Sequence, residues 1–573
     1  MKAFLSGNEA VARGAYEAGV RFAAAYPGTP SSEILENCAH YSEIKSQWST
    51  NEKVALEVAI GASLGGARSL VAMKHVGLNV AADPFFTLSY TGVNGGVVVV
   101  SGDDPGMHSS QNEQDNRHYA RSAKVPMLEP SDSQESKDFV KIGLEISEQF
   151  DTPVLLRMTT RICHSKSVVE LAEPAEPPQR TYAKDFAKYV VLPSNARKRH
   201  VFVEERTKKL EGYSEAFPGN RIEPGDLDLG VVTSSVAYQY AREVFPKATF
   251  LKLSMTYPLP RKLIRKFAAQ VKKIVVVEEL DPYLEENLLQ MGIPVEGKSK
   301  VPLCGELSTE VVAKAFGEKQ KPFSLPVEVP IRFPVLCPGC SHAPVYYTLK
   351  TLKATVTGDI GCYTLGGMPP LSSMDTCICM GASVGMALGL EKALGREAAK
   401  RIVATIGDST FLHSGITGLL DIVYNKGVST VCILNNSTTA MTGHQDHAGT
   451  GKTLSKEETH KVDFAALCRG LGIKDVKVVD PYNLKALREA FKDSLSRPEP
   501  SVVIADRPCV LLERKKGKPV TVDLEKCNAC GLCFLLGCPA MEKAKDKPEI
   551  NEVFCVGCNV CAEICNRDAI LAL

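Results

Sequence analysis

Residues 401–436 read RIVATIGDSTFLHSGITGLLDIVYNKGVSTVCILNN. The run from Arg401 to Ile406 is apolar and β-branched, and is predicted to be a buried strand that delivers Gly407-Asp408-Ser409. A helix is predicted near His413 to Tyr424, and a second strand, Ser429 to Leu434, ends in Asn435-Asn436. This is one βαβ unit. Its two polar tips lie at the carboxyl ends of neighbouring parallel strands, where open α/β sheets bind ligands. An Asp carboxylate at one tip and an Asn amide at the other can share a hard divalent ion whose remaining positions are filled by water and diphosphate oxygens. Taken alone, the same residues also fit an ordinary strand-end turn.

Outward from this unit the chain is a series of similar segments. Its 573 residues predict about three or four domains. Residues 1–170 alternate small-residue helical stretches with short β-branched runs such as Val97-Val98-Val99-Val100, an α/β parallel-sheet pattern. Residues 171–226 open on a Pro-rich, charged stretch without periodicity, and are expected to be a linker or surface crossing. A second, smaller α/β unit over 227–320 starts at Gly230-Val231-Val232-Thr233 and includes the strand Ile274-Val275-Val276-Val277. The Pro-rich stretch Lys321 to Pro334 separates it from a third α/β segment, 330–512. The basic run Glu513 to Lys518 leads on to a last domain, 518–573.

A formal net charge of +1 gives no electrostatic case for nucleic acid or an acidic membrane, so small molecules and proteins are the expected partners. No apolar run approaches the roughly 18 to 20 residues needed to span a bilayer, and the start MKAFLSGNEA lacks a secretory h-region. The expected location is the cytoplasm, where 19 cysteines mean metal clusters and free thiols rather than disulfides.

Eight of these cysteines form two terminal runs, Cys527-x2-Cys530-x2-Cys533-x4-Cys538 and Cys555-x2-Cys558-x2-Cys561-x3-Cys565. A Cys-x2-Cys-x2-Cys loop wraps three thiolates around one cubane while the distant fourth reaches the other cluster. One [4Fe-4S] cluster is therefore expected on Cys527, Cys530, Cys533 and Cys565, and another on Cys555, Cys558, Cys561 and Cys538. Zinc would need a single set of four ligands rather than two interlocked sets. The runs depart slightly from the common pattern: four residues precede Cys538 where three are usual, and Asn566 stands where a Pro often follows.

The spacing from Gly407-Asp408 to Asn435-Asn436 resembles the fingerprint of thiamine diphosphate enzymes. That resemblance implies magnesium held by the side chains of Asp408 and Asn436 and the backbone carbonyl of Thr438, with Gly407 shaping the turn and Ser409 in place of the usual third Gly. Such enzymes also need a carboxylate that shares a proton with the far ring nitrogen of the cofactor's aminopyrimidine. The segment beginning Asn51-Glu52-Lys53, with Gly61 nine residues after Glu52, is similar to the signature that supplies it. Small residues at 59, 61, 62, 65, 66 and 67 are expected to let this helix pack closely on a neighbour. Alone, Glu52 could merely complement the helix dipole.

Tyr26-Pro27-Gly28-Thr29-Pro30-Ser31-Ser32-Glu33 resembles a motif of the 2-oxoacid:ferredoxin oxidoreductases. Together with KHVGLNVAADP (74–84), CPGCSH (337–342), GDSTFLHSGITGLLD (407–421) and TTAMTGHQDH (438–447), it makes the whole chain similar to the large α subunit of the indolepyruvate branch of that family. The resemblance implies a multidomain α/β fold. A thiamine pyrimidine-binding domain is implied over 1–170, a transketolase-C-terminal-like domain over 227–320, a thiamine diphosphate and magnesium domain over 330–512, and a two-cluster, bacterial-ferredoxin-like domain over 518–573. The implied reaction is oxidative decarboxylation of an aryl pyruvate, such as indole-3-pyruvate, with coenzyme A, reducing ferredoxin. Implied partners are a small β subunit and a second α copy, in an α2β2 assembly. Thr29 would lie near the thiamine ring and substrate, and Thr442 and Gly443 would line the diphosphate side. His444 and His447 remain open between acid–base work and local hydrogen bonding.

Two rival readings also stand: a thiamine-dependent decarboxylase or carboligase with structural clusters, and a non-catalytic electron-relay subunit. Pyruvate-specific relatives carry a further cluster in the diphosphate domain, and Cys337, Cys340, Cys362 and Cys509 are candidates for a third one here. Cys377 and Cys379 compete for the same role, and the alternative is buried, unligated thiols.

Overall fold

The computed structural model describes residues 1–572 apart from 177–179, 319–326, 328, 331 and 514–516, so much of the Pro-rich stretch and the centre of the basic run lie outside the described residues. The backbone divides into two compact units, Met1–Pro326 and Val327–Leu573.

The first unit is built on a seven-stranded sheet. Its order is Met255–Tyr257, Met127–Leu128, Val154–Thr159, Val97–Asp103, Ser69–Lys74, Phe22–Ala25 and Lys45–Trp48, parallel except at the Met255–Tyr257 edge. Strand Val97–Asp103 is buried along its whole length, as expected where helices cover both faces of a parallel sheet. Helix Glu52–Leu64 starts where the Asn51 side chain accepts from Val54 N (2.9 Å), a cap whose loss costs about 1 kcal/mol. It buries Ala55, Leu56 and Ala59 against Val71, Leu78 and Val99. Gly61 departs from expectation: a Cβ there would meet nothing within 4 Å, because the buried face of the helix runs through 52, 55, 56, 59 and 63.

A second sheet in this unit orders Ile274–Val277, Asp226–Ser234, Ala248–Leu253 and Arg221–Glu223, with only the last strand antiparallel. The segment 171–226 is dominated by the 24-residue helix Pro193–Ala216, whose buried Arg206 donates to Ser89 O (2.9 Å) and Asp151 O (2.8 Å). Buried charges bridge the two sheets, Arg117 pairing with Asp115 and Glu278 at 2.6 Å each. Burial alone would push the Asp115 carboxyl up, but Arg117 and Arg157 hold it well below the usual carboxylate range.

The second unit carries a six-stranded parallel sheet ordered Thr376–Cys377, Thr355–Gly358, Ile402–Gly407, Thr430–Asn435, Ser501–Asp506 and Asp475–Val479. The predicted βαβ unit is present, with a π-helical turn, Phe411–Gly415, before helix Ile416–Tyr424. The cysteine-rich terminus adds two short antiparallel ladders. Its Met541, Val560 and Ile564 share one continuous core with Tyr346, Val356 and Phe491 of the sheet domain. Among the described residues no helix is long and apolar enough to cross a membrane.

Candidate active site

In the second unit, adjacent strands place Asp408 directly after Gly407 and Asn436 directly after Asn435, and both side chains are buried. The two Asp408 oxygens accept from Ser409 N and Ser437 N at 2.8 Å. The Asn436 amide oxygen faces two other oxygens, Asp408 Oδ1 at 3.3 Å and Thr438 O at 2.8 Å. Rotating the amide would turn both contacts into hydrogen bonds. Left unrotated, the three oxygens would suit a hard divalent ion, which takes oxygen ligands. With Asn436 as placed, its Nδ2 lies 3.4 Å from His342 Nε2. Oxygens of Asp408, Asn436 and Thr438 thus face one another at the two strand tips.

His342 and His447 flank this triad. Burial drives the His342 imidazole down to about 4 despite the nearby Asp408 charge, so the ring is neutral at physiological pH. His447 Nε2 stands 3.3 Å from Asp408 Oδ2. The Ser409 hydroxyl accepts from Thr439 Oγ1 (3.0 Å), tying the first strand tip to the loop that follows the second. Within that loop Thr442 Oγ1 donates to Gln445 Oε1 (2.6 Å), while Gly443 at φ 124° makes a turn closed to side chains. These two residues hold the loop's shape.

In the first unit, Thr29 adjoins the end of strand Ser69–Lys74 through Ser109, and Glu52 packs on Gly77 just beyond that strand. Glu52 is buried at its helix start, and a Cβ on Gly77 would lie 2.7 Å from its Oε1, so only glycine admits the carboxylate there. The Ser109 hydroxyl donates to Thr29 O (3.4 Å), and Lys74 Nζ donates to Ser109 O (2.5 Å). Lys74 is 8% exposed. Among the described residues no carboxylate is in ion-pair contact with it. Asp104 faces it but is occupied by Ser109 N (2.9 Å), Ser110 Oγ (2.5 Å) and Thr160 Oγ1 (2.7 Å). Burial lowers the Lys74 ammonium to about 8, with Asp104 opposing the shift. This cation was not singled out from sequence. Its one signal there is a lysine closing the apolar run Ser69-Leu70-Val71-Ala72-Met73.

The cysteines fall into groups. Cys527, Cys530, Cys533 and Cys565 line one cavity. Burial pushes the Cys561 thiol up to about 12, and its neighbours Cys558, Cys538 and Cys555 add to the shift. Cys337, Cys340, Cys362 and Cys509 line a third cavity with His342 and Asn436. Cys509 N donates to Asn436 O (2.9 Å), so this thiol set adjoins the oxygen triad. Burial pushes the Cys340 thiol up to about 12 and Cys362 to about 11, so a metal would have to displace their protons. The competing Cys377 turns instead toward Asp359 O (3.6 Å). The donor sets fit iron–sulfur clusters in number and chemistry.

Residues 13–207 match the family model described as pyruvate flavodoxin/ferredoxin oxidoreductase, thiamine diP-binding, and residues 359–505 match thiamine pyrophosphate enzyme, C-terminal TPP binding domain. Indolepyruvate oxidoreductase subunit IorA of Archaeoglobus fulgidus is 43% identical over 620 residues, covering 99% of this chain and 97% of that one. The chain belongs to the IorA family. The IorA subunit of Pyrococcus horikoshii is 40% identical, over 98% of this chain and 96% of that one. A solved 2-oxoglutarate:ferredoxin oxidoreductase from Magnetococcus marinus aligns with a TM-score of 0.47 and 17% identity, over 55% of this chain and 65% of that chain. As a member of the IorA family the chain carries thiamine-binding domains. Thr29, Glu52 and Lys74 fall within the first matched segment, and Asp408, Asn436 and Thr438 within the second. The terminal cysteines lie outside both matches but within the span of near-full-length identity.

Proposed function

We propose that this chain is the large subunit of a cytoplasmic, thiamine-diphosphate-dependent indolepyruvate oxidoreductase. It would convert an aryl pyruvate and coenzyme A to the aryl-acetyl-CoA and CO2, with ferredoxin taking the electrons. The observation that carries this reading is the Asp408–Asn436–Thr438 oxygen triad directly beside a four-thiol cavity. A decarboxylase or carboligase has no use for an electron outlet at that position, and a mere relay subunit has no use for the triad.

When bound, thiamine diphosphate supplies the electron sink for decarboxylation, and the clusters supply one-electron acceptors. The residues of the chain then divide the remaining work. Asp408, Asn436 and Thr438 O would hold magnesium against the diphosphate, and Glu52 would share a proton with the cofactor's pyrimidine ring from its buried helix start. Thr29 borders the reacting carbonyl, and the Lys74 ammonium offers the 2-oxo acid a positive charge in a dry setting, where an ionic hydrogen bond is strongest. The two terminal sets would hold one [4Fe-4S] cluster each, and the Cys337, Cys340, Cys362 and Cys509 set a third.

The assembly pairs two copies of this chain with two small β subunits. The outer face of helix Glu52–Leu64, with Val58 exposed and open space over Gly61, is free to meet another surface. The preference for an indole side chain rests on the relatives' names. Its test is anaerobic co-expression with the small subunit, followed by viologen reduction with coenzyme A and indolepyruvate, phenylpyruvate, pyruvate or 2-oxoglutarate. Faster turnover of pyruvate would sink the aryl assignment. Product formation without coenzyme A or an electron acceptor would favour the non-oxidative rival.

A further inference from the structure

The loop that follows strand Val97–Asp103 is fixed at its base and lightly held at its tip. Asp103 at one end accepts from Asn116 N (3.1 Å) at the other, and Asp104, Asp115 and Asn116 are all buried. Residues 106–114 are polar or glycine except for Met107, which is 47% exposed, so no apolar side chain holds the tip to the core. A segment held by polar contacts alone opens at low free-energy cost. Its ties are hydrogen bonds. Asp104 Oδ2 accepts from Ser109 N (2.9 Å) and Ser110 Oγ (2.5 Å), His108 Nε2 lies 3.2 Å from Glu306 Oε2, and His75 Nε2 lies 3.2 Å from Asn112 Oδ1.

One further tie reaches into the candidate site. Lys74 Nζ donates to Ser109 O (2.5 Å), with Ser109 Oγ at 3.4 Å, and that hydroxyl donates in turn to Thr29 O (3.4 Å). The almost fully buried ammonium is thus engaged by a neutral backbone carbonyl of the loop. A carboxylate is a stronger acceptor for an ammonium than a carbonyl, since it adds the attraction of a full negative charge in a poorly solvated setting. Asp104 does not supply that charge by direct contact, its oxygens being taken up by Ser109, Ser110 and Thr160.

We propose that the loop 106–113 is a latch opened by the substrate's carboxylate: the acid takes the Lys74 ammonium from Ser109 O, and the tip, released there, swings away from Thr29. Ser109 is thereby an internal competitor for the substrate's seat. A latch of this kind weakens the apparent affinity in proportion to the fraction of molecules that are closed to substrate, and any change that loosens the tip restores affinity. The latch presupposes that Lys74 receives a 2-oxo acid, the function proposed for this chain.

The test is hydrogen–deuterium exchange on the anaerobically purified complex with the small subunit, together with steady-state viologen reduction. The probe is indole-3-propionate, which keeps the carboxylate of indolepyruvate but lacks the 2-oxo group and cannot turn over. Phenylpropionate, propionate or glutarate replaces it if phenylpyruvate, pyruvate or 2-oxoglutarate is the preferred substrate, and indole-3-ethanol is the uncharged control. At a concentration that inhibits turnover competitively, the acid should speed amide exchange across residues 107–112 about tenfold, the control should not, and Lys74→Met should exchange fast with or without the acid. Combining His108→Ala with Ser110→Ala cuts two ties remote from Lys74, and should lower KM for the 2-oxo acid about threefold to tenfold at unchanged kcat. Unmoved or slowed exchange while the acid inhibits overturns the latch. So does a KM that stays or rises in a double variant that melts with the parent. Exchange decides if that variant melts lower, and KM decides if the acid does not inhibit. Absence of turnover with all four 2-oxo acids in the unmutated complex overturns instead the function beneath it.

Discussion

Replacing Lys74 with methionine should make the protein more stable and less active. The ammonium is almost fully buried, and burial lowers it from 10.5 to about 8. A base whose folded pKa lies below its unfolded value destabilises the fold while it is charged. The penalty is full below the folded pKa and fades as the pH rises toward the unfolded one. Here the difference corresponds to about 3 kcal/mol at pH 7, falling below about 1 kcal/mol by pH 10. Methionine fills a similar volume without the charge. It leaves Ser109 O without its donor, which returns about 1 kcal/mol, so the net gain at pH 7 is about 2 kcal/mol. Thermal denaturation of both proteins at matched scan rates, at pH 7 and pH 10, should show the variant melting higher at pH 7 and the gap closing at pH 10. Over the same substitution kcat/KM for the 2-oxo acid should fall on the order of tenfold to a hundredfold, the worth of a hydrogen bond to a charged group. A variant that melts lower at pH 7, or a gap indifferent to pH, would refute the account of Lys74 as a charge held at a cost for function.

Three further outcomes can be checked directly. Asp408→Asn removes one oxygen of the triad, so stabilisation by thiamine diphosphate with magnesium, about 2.7 kcal/mol at a hundred times Kd, should shrink at the same ligand concentration in a thermal-shift titration. Glu52→Gln should still bind the cofactor by calorimetry but lose roughly a hundredfold to ten-thousandfold in kcat, the range for a positioned proton donor. Cys340→Ser should lower iron by up to about four per chain, whereas Cys379→Ser, off the third cavity, should leave the iron content unchanged.

Chemistry concentrated in short stretches was legible in the sequence. The strand ending in Gly407-Asp408, the helix opening at Glu52 and the terminal cysteine spacing all have local signals: β-branched runs, an Asn cap, and a Cys-x2-Cys-x2-Cys spacing of the kind that suits a cubane. What escaped depends on segments distant in the chain. The charge on Lys74 matters because the loop carrying Ser109 folds over it, 35 residues later. His342 became a partner of Asn436 only when residues 94 apart met. Spacing could not choose between Cys362 with Cys509 and Cys377 with Cys379, whereas three-dimensional placement gathers the first pair with Cys337 and Cys340. The small residues after Glu52 were expected to provide a close approach. The contact belongs instead to Gly77, on a different helix, because it is the carboxylate side chain that needs the space.

The core that joins Met541, Val560 and Ile564 to Tyr346 and Phe491 bears on how this protein fails. A chain broken before its cysteine-rich tail would not become a smaller working enzyme. It would expose a contiguous apolar surface on the very sheet that carries Asp408 and Asn436, the kind of patch that leads to aggregation or proteolysis. Loss of the cysteine-rich tail would thereby become loss of the whole subunit rather than of one function, and a truncated chain would not be expected to accumulate.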